Sequence, residues 1–187
     1  MSRYFRFYDQ DKPYFISFAV IGWIDVFTRS IYREIVIDSL NYCVKEKGLI
    51  IDAWVLMTNH VHLLMGRRTA KLQDIVRDLK KFTSVQLLDS IANNKLESRR
   101  TWMMDMFRKA GVKCPNNTHY QFWQQDNHPL EVNHEQQMLN FINYIHQNPV
   151  RSNLTEEATD WHFSSAAHWL LDPPGNSDVK LSGIQWL

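Results

Sequence analysis

LIIDAWVLMTNHVHLLM, residues 49–65, is an almost unbroken apolar run interrupted at Thr58 and Asn59. The pattern predicts two largely buried strands, residues 49–57 and 60–65, joined by a two-residue hairpin turn. In the second strand a side-chain period of two sets His60 and His62 on one face and Val61, Leu63 and Met65 on the other. Paired imidazoles on one face have two readings, half of a metal site or polar residues on an exposed sheet face.

Working outward, YFISFAVI, residues 14–21, is aromatic and β-branched without a helical period and reads as a first strand. Residues 29–48 space Ile31, Ile35, Leu40 and Val44 at roughly helical intervals, with Ser30 as N-cap and Gly48 as the stop. After the hairpin a second helix runs from about Lys71 to Ala92. Its inward residues are Leu72, Ile75, Val76, Leu79, Phe82 and Leu87, while Arg77, Lys80 and Lys81 face outward. HYQFWQQ, residues 119–125, completes β-α-β-β-α-β as a fourth strand. The expected fold is therefore α+β: a ferredoxin-like (split βαβ) antiparallel sheet with helices on one face and a C-terminal helical extension.

Residues 93–118 fit a short helix and a loop. A third helix spans about Glu135 to Gln147, opened by Asn133 or His134 and closed by Pro149, with Met138, Phe141, Ile142 and Ile145 at i, i+3, i+4, i+7. DWHFSSAAHWLL suggests a short terminal helix packed by its tryptophans, and DPPGNSD a loose tail. The whole, residues 1–187, reads as one domain, with a core over about 14–150 and an extension over 151–187.

With 187 residues, 44% of them hydrophobic, the chain suits one domain with a real core. It has no apolar run of the roughly 18 to 20 residues that a membrane span needs, and its first 15 residues lack signal-peptide character, so the cytoplasm is the expected location. Cys43 and Cys114 have no CxxC-type partner and read as ordinary thiols. Net charge is only +1, but residues 67–113 hold twelve Lys or Arg against five Asp or Glu, whereas residues 114–160 hold one against six. Such a cationic segment is compatible with phosphate binding, and equally with a solvated helix face.

On the third helix, Tyr144 and Asn148 are four apart and share a face, roughly 6 Å from each other. A phenol is a nucleophile once its charge is stabilised, and an amide oxygen is a hard-metal ligand; alternatively, Tyr144 packs with a wet hydroxyl and Asn148 simply ends a helix. His146 is turned about 200 degrees away from that face. Arg77, Lys80 and Lys81, then Arg67 and Arg68, are candidates for backbone phosphate contact. Trp54, Trp102, Trp123 and Tyr120 could stack unpaired bases, with core packing the plainer alternative.

NHVHLLM after IDAWVLM, followed by a basic helix and then YIHQNPVRSNL and WHFSSA, resembles the REP-associated tyrosine transposases of the HUH (IS200-like) superfamily, over roughly residues 14–170. The resemblance implies His60 and His62 as ligands of a divalent metal, Mg²⁺ or Mn²⁺, Asn148 as the third ligand and Tyr144 as nucleophile. It implies an enzyme that nicks and rejoins single-stranded or hairpin DNA through a 5′-phosphotyrosine, working as monomer or homodimer without a membrane partner. Arg151 and WHFSSA belong to the recognisable pattern, and Arg151 joins the candidate DNA-binding residues. The competing readings are a non-catalytic hairpin-binding module on the same fold and a hydrolase whose water, not Tyr144, attacks.

Overall fold

A computed structural model describes residues 7–113, 119–125 and 127–183. The elements are β1 (Tyr14–Ala19), α1 (Ser30–Glu46), β2 (Leu49–Leu56), β3 (His60–Arg67), α2 (Leu72–Asn93), α3 (Arg100–Val112), β4 (Leu130–Glu131), α4 (Glu135–His146), α5 (Asn148–Arg151) and α6 (Ala166–Leu170). The antiparallel sheet has the order β2-β3-β1-β4, which is the split βαβ arrangement.

Alternation in β1 and β3 divides the core in two. Tyr14, Ile16, Phe18, Val61, Leu63 and Met65 pack against α1 and α2 on one face. On the other, Phe15 and Leu64 join Ala53 and Val55 of β2 beneath Met138, Ile142 and Ile145 of α4. In β2 a bulge at Asp52 resets the parity, so that Ile51 faces the first layer and Ala53 the second. The helix carrying Tyr144 thus lies on the sheet face that presents the two histidines.

Several local expectations change. Residues 119–125 make one isolated bridge, Val20 to Trp123, and the fourth strand is the two-residue β4. The aromatics there are used inward instead: Phe122 and Trp123 are buried against Phe27 and Phe107. On α2, Phe82 faces solvent and Thr83 is buried, because Thr83 Oγ1 accepts the indole N–H of Trp123 and donates to the Leu79 carbonyl. Ser30 is the first helical residue of α1, not its cap, and the buried stripe is Tyr32, Val36, Ile37, Leu40 and Cys43. Gly48 does end α1, at φ 70°, where an added Cβ would collide with the Thr69 hydroxyl. Within residues 93–118 the helix is longer than expected, at 13 residues, while Cys114 lies outside the described residues.

The DPPGNSD tail is anchored. Ser177 accepts the indole N–H of Trp54, Asn41 bonds both Asp178 and Lys180, and Val179 is fully buried in the first core layer. No helix among the described residues is long and apolar enough to cross a membrane.

Behind the hairpin, Glu97 is 3% exposed and takes hydrogen bonds from Arg29 at 2.6 Å and Arg99 at 3.0 Å. Burial alone would raise its pKa, but the bonds from Arg99 and Arg29 outweigh that and hold it at about 2. A shift of that size corresponds to roughly 3 kcal/mol of stability, present above the unfolded carboxylate pKa of about 4.3 and lost as pH falls toward 2. Arg99 also donates to the Asp25 carbonyl at 2.9 Å, tying this pair to the loop that backs the hairpin turn. Glu97→Gln is expected to cost about 2 kcal/mol at pH 7 and almost nothing near pH 2, measured by urea unfolding across that range.

Candidate active site

β3 delivers His60 and His62 to a cleft of about 490 Å³ floored by Phe15 and Ser17 of β1 and walled by Trp23, Tyr144, Asn148 and Arg151. The two imidazoles meet edge to face at 4.7 Å. Tyr144, 40% exposed, places its ring 5.3 Å from His62 and 5.6 Å from Phe15, both edge-on. Asn148, at the start of α5 one turn later, is buried and lines the same cleft as His60. His60, His62, Tyr144 and Asn148 are therefore brought together, all from one chain.

Both histidines are held neutral. Burial lowers the pKa of His60, partly offset by the neighbouring Asn148. Burial, with help from His60 and Arg151, lowers that of His62 to about 3. The proton on His60 is placed by Asn59, whose amide NH₂ donates to Asp25 Oδ1 and the Trp23 carbonyl, each at 3.1 Å. Its oxygen is left to accept from His60 Nδ1 at 2.7 Å, which keeps the lone pair on Nε2. Thr58 donates to the same Asp25 carboxylate at 2.7 Å, so the hairpin turn is clamped to the loop behind it. His62 Nδ1 is buried with no hydrogen-bond partner among the described residues. Two neutral imidazoles, one with an orphaned nitrogen, and a nearby amide oxygen are donors that fit a borderline divalent ion. No cluster of three or more His, Cys, Asp or Glu among the described residues forms an alternative site.

Of the six cations singled out in the sequence, Arg151 alone lines the cleft. Its guanidinium sits 4.3 Å above the Tyr144 ring and donates to the Tyr144 carbonyl at 2.6 Å. Arg67, at the far end of β3, bonds Asp11 and the Gln10 carbonyl, and Arg68 adjoins it. Arg77 pairs with Asp74 and Asp78 on α2, across the sheet from the cleft. Lys80 bonds Asn127 and the Gln124 carbonyl, and Lys81 is exposed on the same helix. Trp54 and Trp123 are core residues, while Trp102 and Tyr120 are exposed outside the cleft lining. Sequence reasoning passed over Asn59 and Trp23; a polar amide in a hairpin turn and a lone tryptophan before a helix carry no signal of their own.

Behind the tyrosine helix, His146 and the WHFSSA stretch form a buried structural contact. His146 points away from the cleft, is 1% exposed, and its Nε2 lies 2.8 Å from Ser165 Oγ of the WHFSSA stretch. The same Oγ accepts the backbone N–H of Trp54 in β2 at 3.0 Å. Ser165 is the buried rivet that fixes the tyrosine helix to the sheet.

Residues 24–111 match the family model described as transposase IS200 like. Over that stretch, from the turn after β1 through most of α3, the chain is similar to the IS200-like transposases. Across 100% of this chain and 99% of the other, its fold is that of a solved REP-associated tyrosine transposase bound to a REP hairpin, at TM-score 0.64 and 16% identity. A Deinococcus radiodurans R1 protein assigned as a transposase is also similar, at TM-score 0.45 and 19% identity over 82% of this chain and 98% of that one. No curated protein sequence matches. Ser165→Ala is expected to strand both the His146 ring nitrogen and the Trp54 N–H, at about 2 kcal/mol by urea unfolding.

Proposed function

We propose that this protein is a metal-dependent, single-strand-specific DNA nickase and strand transferase acting at or near hairpin DNA, with Tyr144 as nucleophile. The observation that carries the proposal is the packing of Tyr144 against His62 in a cleft that His60 and Asn148 also line, within one chain. A hairpin-binding module without catalysis has no use for a half-exposed phenol packed edge-on against a neutral imidazole that adjoins a second one.

His60, His62 and Asn148 would hold the divalent ion, Mg²⁺ or Mn²⁺, and imidazole with amide suits Mn²⁺ at least as well. Such an ion supplies charge neutralisation and orientation for a phosphate. Tyr144 Oη then attacks phosphorus in line; the P–O3′ bond breaks, the O3′ leaves as a free hydroxyl with a proton, and the 5′-phosphate stays on the tyrosine. Arg151, stacked over that ring, offsets the negative charge of both phenolate and phosphate. Because the phosphodiester energy is kept in the adduct, attack by another 3′-hydroxyl rejoins strands without ATP. Asn59 is a positioning residue: it fixes the tautomer of His60 and so aims Nε2.

Incubating the protein with end-labelled single-stranded hairpin DNA and Mn²⁺ is expected to give an SDS-stable adduct carrying the DNA 3′ of the cut. The adduct is expected to vanish in EDTA, in His60→Ala and in Tyr144→Phe, with Tyr144→Phe still binding the hairpin within about twofold. Free nicks with no protein attached would assign the attack to water, and tight binding with no product under any metal would favour the binding module. Asn59→Ala is expected to weaken Mn²⁺ binding about 10- to 100-fold, read by electron paramagnetic resonance titration, with the fold intact by circular dichroism.

A further inference from the structure

Residues 20–24 make a tight turn in which Gly22 and Trp23 both have positive φ, 63° and 55°. The Ile24 N–H closes it onto the Ile21 carbonyl at 3.5 Å. This is the two-residue left-handed turn that glycine and asparagine favour, and a tryptophan there costs about 1–2 kcal/mol of backbone strain. The ring is not repaid by burial, for Trp23 is 57% exposed. Its carbonyl is held by Asn59 and its ring meets His60 edge to face at 5.7 Å. An indole kept in the open by a strained backbone, with its orientation set from two sides, is a platform for a planar ligand.

Ring contacts run in a row: Tyr144 meets His62 at 5.3 Å, His62 meets His60 at 4.7 Å and His60 meets Trp23 at 5.7 Å. Tyr144 and Trp23 are the two ends of that row of contacts. Given the strand-transferase reading, on which this rests, the scissile phosphate lies against the middle of that row, within reach of the phenol. In-line displacement puts the leaving O3′ on the far side of phosphorus from the tyrosine oxygen. The nucleotide that owns this O3′ is therefore delivered to the Trp23 end.

We infer that Trp23 is a base-stacking subsite for the nucleotide immediately 5′ of the cut, holding the departing 3′-hydroxyl in place for the rejoining step. Stacking on an indole is tolerant of base identity, so the subsite positions the strand without reading its sequence.

Trp23→Asn is the informative variant, since asparagine accepts positive φ and keeps the turn. In the Tyr144→Phe background, with EDTA present, binding of a thymidine oligonucleotide of about 20 nucleotides is followed by fluorescence anisotropy, alongside an abasic strand of the same length. Trp23→Asn is expected to weaken thymidine binding about tenfold and leave abasic binding unchanged. Equal loss on both strands, or none, overturns the subsite. With Tyr144 restored and the cut mapped, a single abasic residue 5′ of it is expected to raise KM about tenfold in the native protein and not in Trp23→Asn. The same effect on the 3′ side instead overturns the assigned position. Normal Trp23-dependent binding with no adduct would remove the transferase reading and the assigned side while keeping the stacking site; a native adduct indifferent to Trp23 would remove the stacking site alone. No binding of either strand would overturn both.

Discussion

The period-two alternation of β3 is the constraint from which everything else follows. Val61, Leu63 and Met65 are completely buried against α1 and α2. A register slip of one residue would push these side chains out and drive His60 and His62 into an apolar layer, at a cost of several kcal/mol in lost burial and stranded polar groups. The hydrophobic pattern that specifies the sheet therefore also specifies which way the imidazoles face. Fold and candidate site are set by one alternation.

What lies on the second face of the sheet is what turns two like-facing histidines into a site. α4 lies across it, and Phe15 stacks on both His62 and Phe141, linking strand, histidine and helix in one aromatic cluster. On the back of α4, His146 and Ser165 tie the helix to the Trp54 backbone. Tyr144 is thus positioned from both sides of its helix, with its ring already in the cleft wall. The hairpin turn is clamped from behind by Asp25 and Asn59, so the elements facing each other across the cleft are all rigidly supported.

Much of this was legible in the sequence because period and spacing survive without tertiary context: the hairpin, the histidine face, the Tyr144 and Asn148 face, and the strand order implied by β-α-β-β-α-β. What was illegible depended on partners distant in the chain. Phe82 and Thr83 sit side by side on α2, and only the indole N–H of Trp123, 40 residues away, makes the threonine the inward one. Residues 119–125 have strand-like composition but spend their aromatics filling the core beside α3, leaving β4 to two residues that composition alone does not mark. The cationic segment read correctly as basic, yet Arg67, Arg77 and Lys80 each face a partner that a charge count does not see.

The C-terminal strap has a consequence for how copies of this protein can meet. Ser164 bridges Val55, Ser165 and Phe163 exchange backbone bonds with Trp54 and Leu56, and Ser182 donates to the Ile51 carbonyl. The outer rim of β2 is therefore already hydrogen-bonded along much of its length, and at the opposite rim β4 offers a ladder of only two residues. A sheet closed at one margin and curtailed at the other resists edge-to-edge joining with a second sheet.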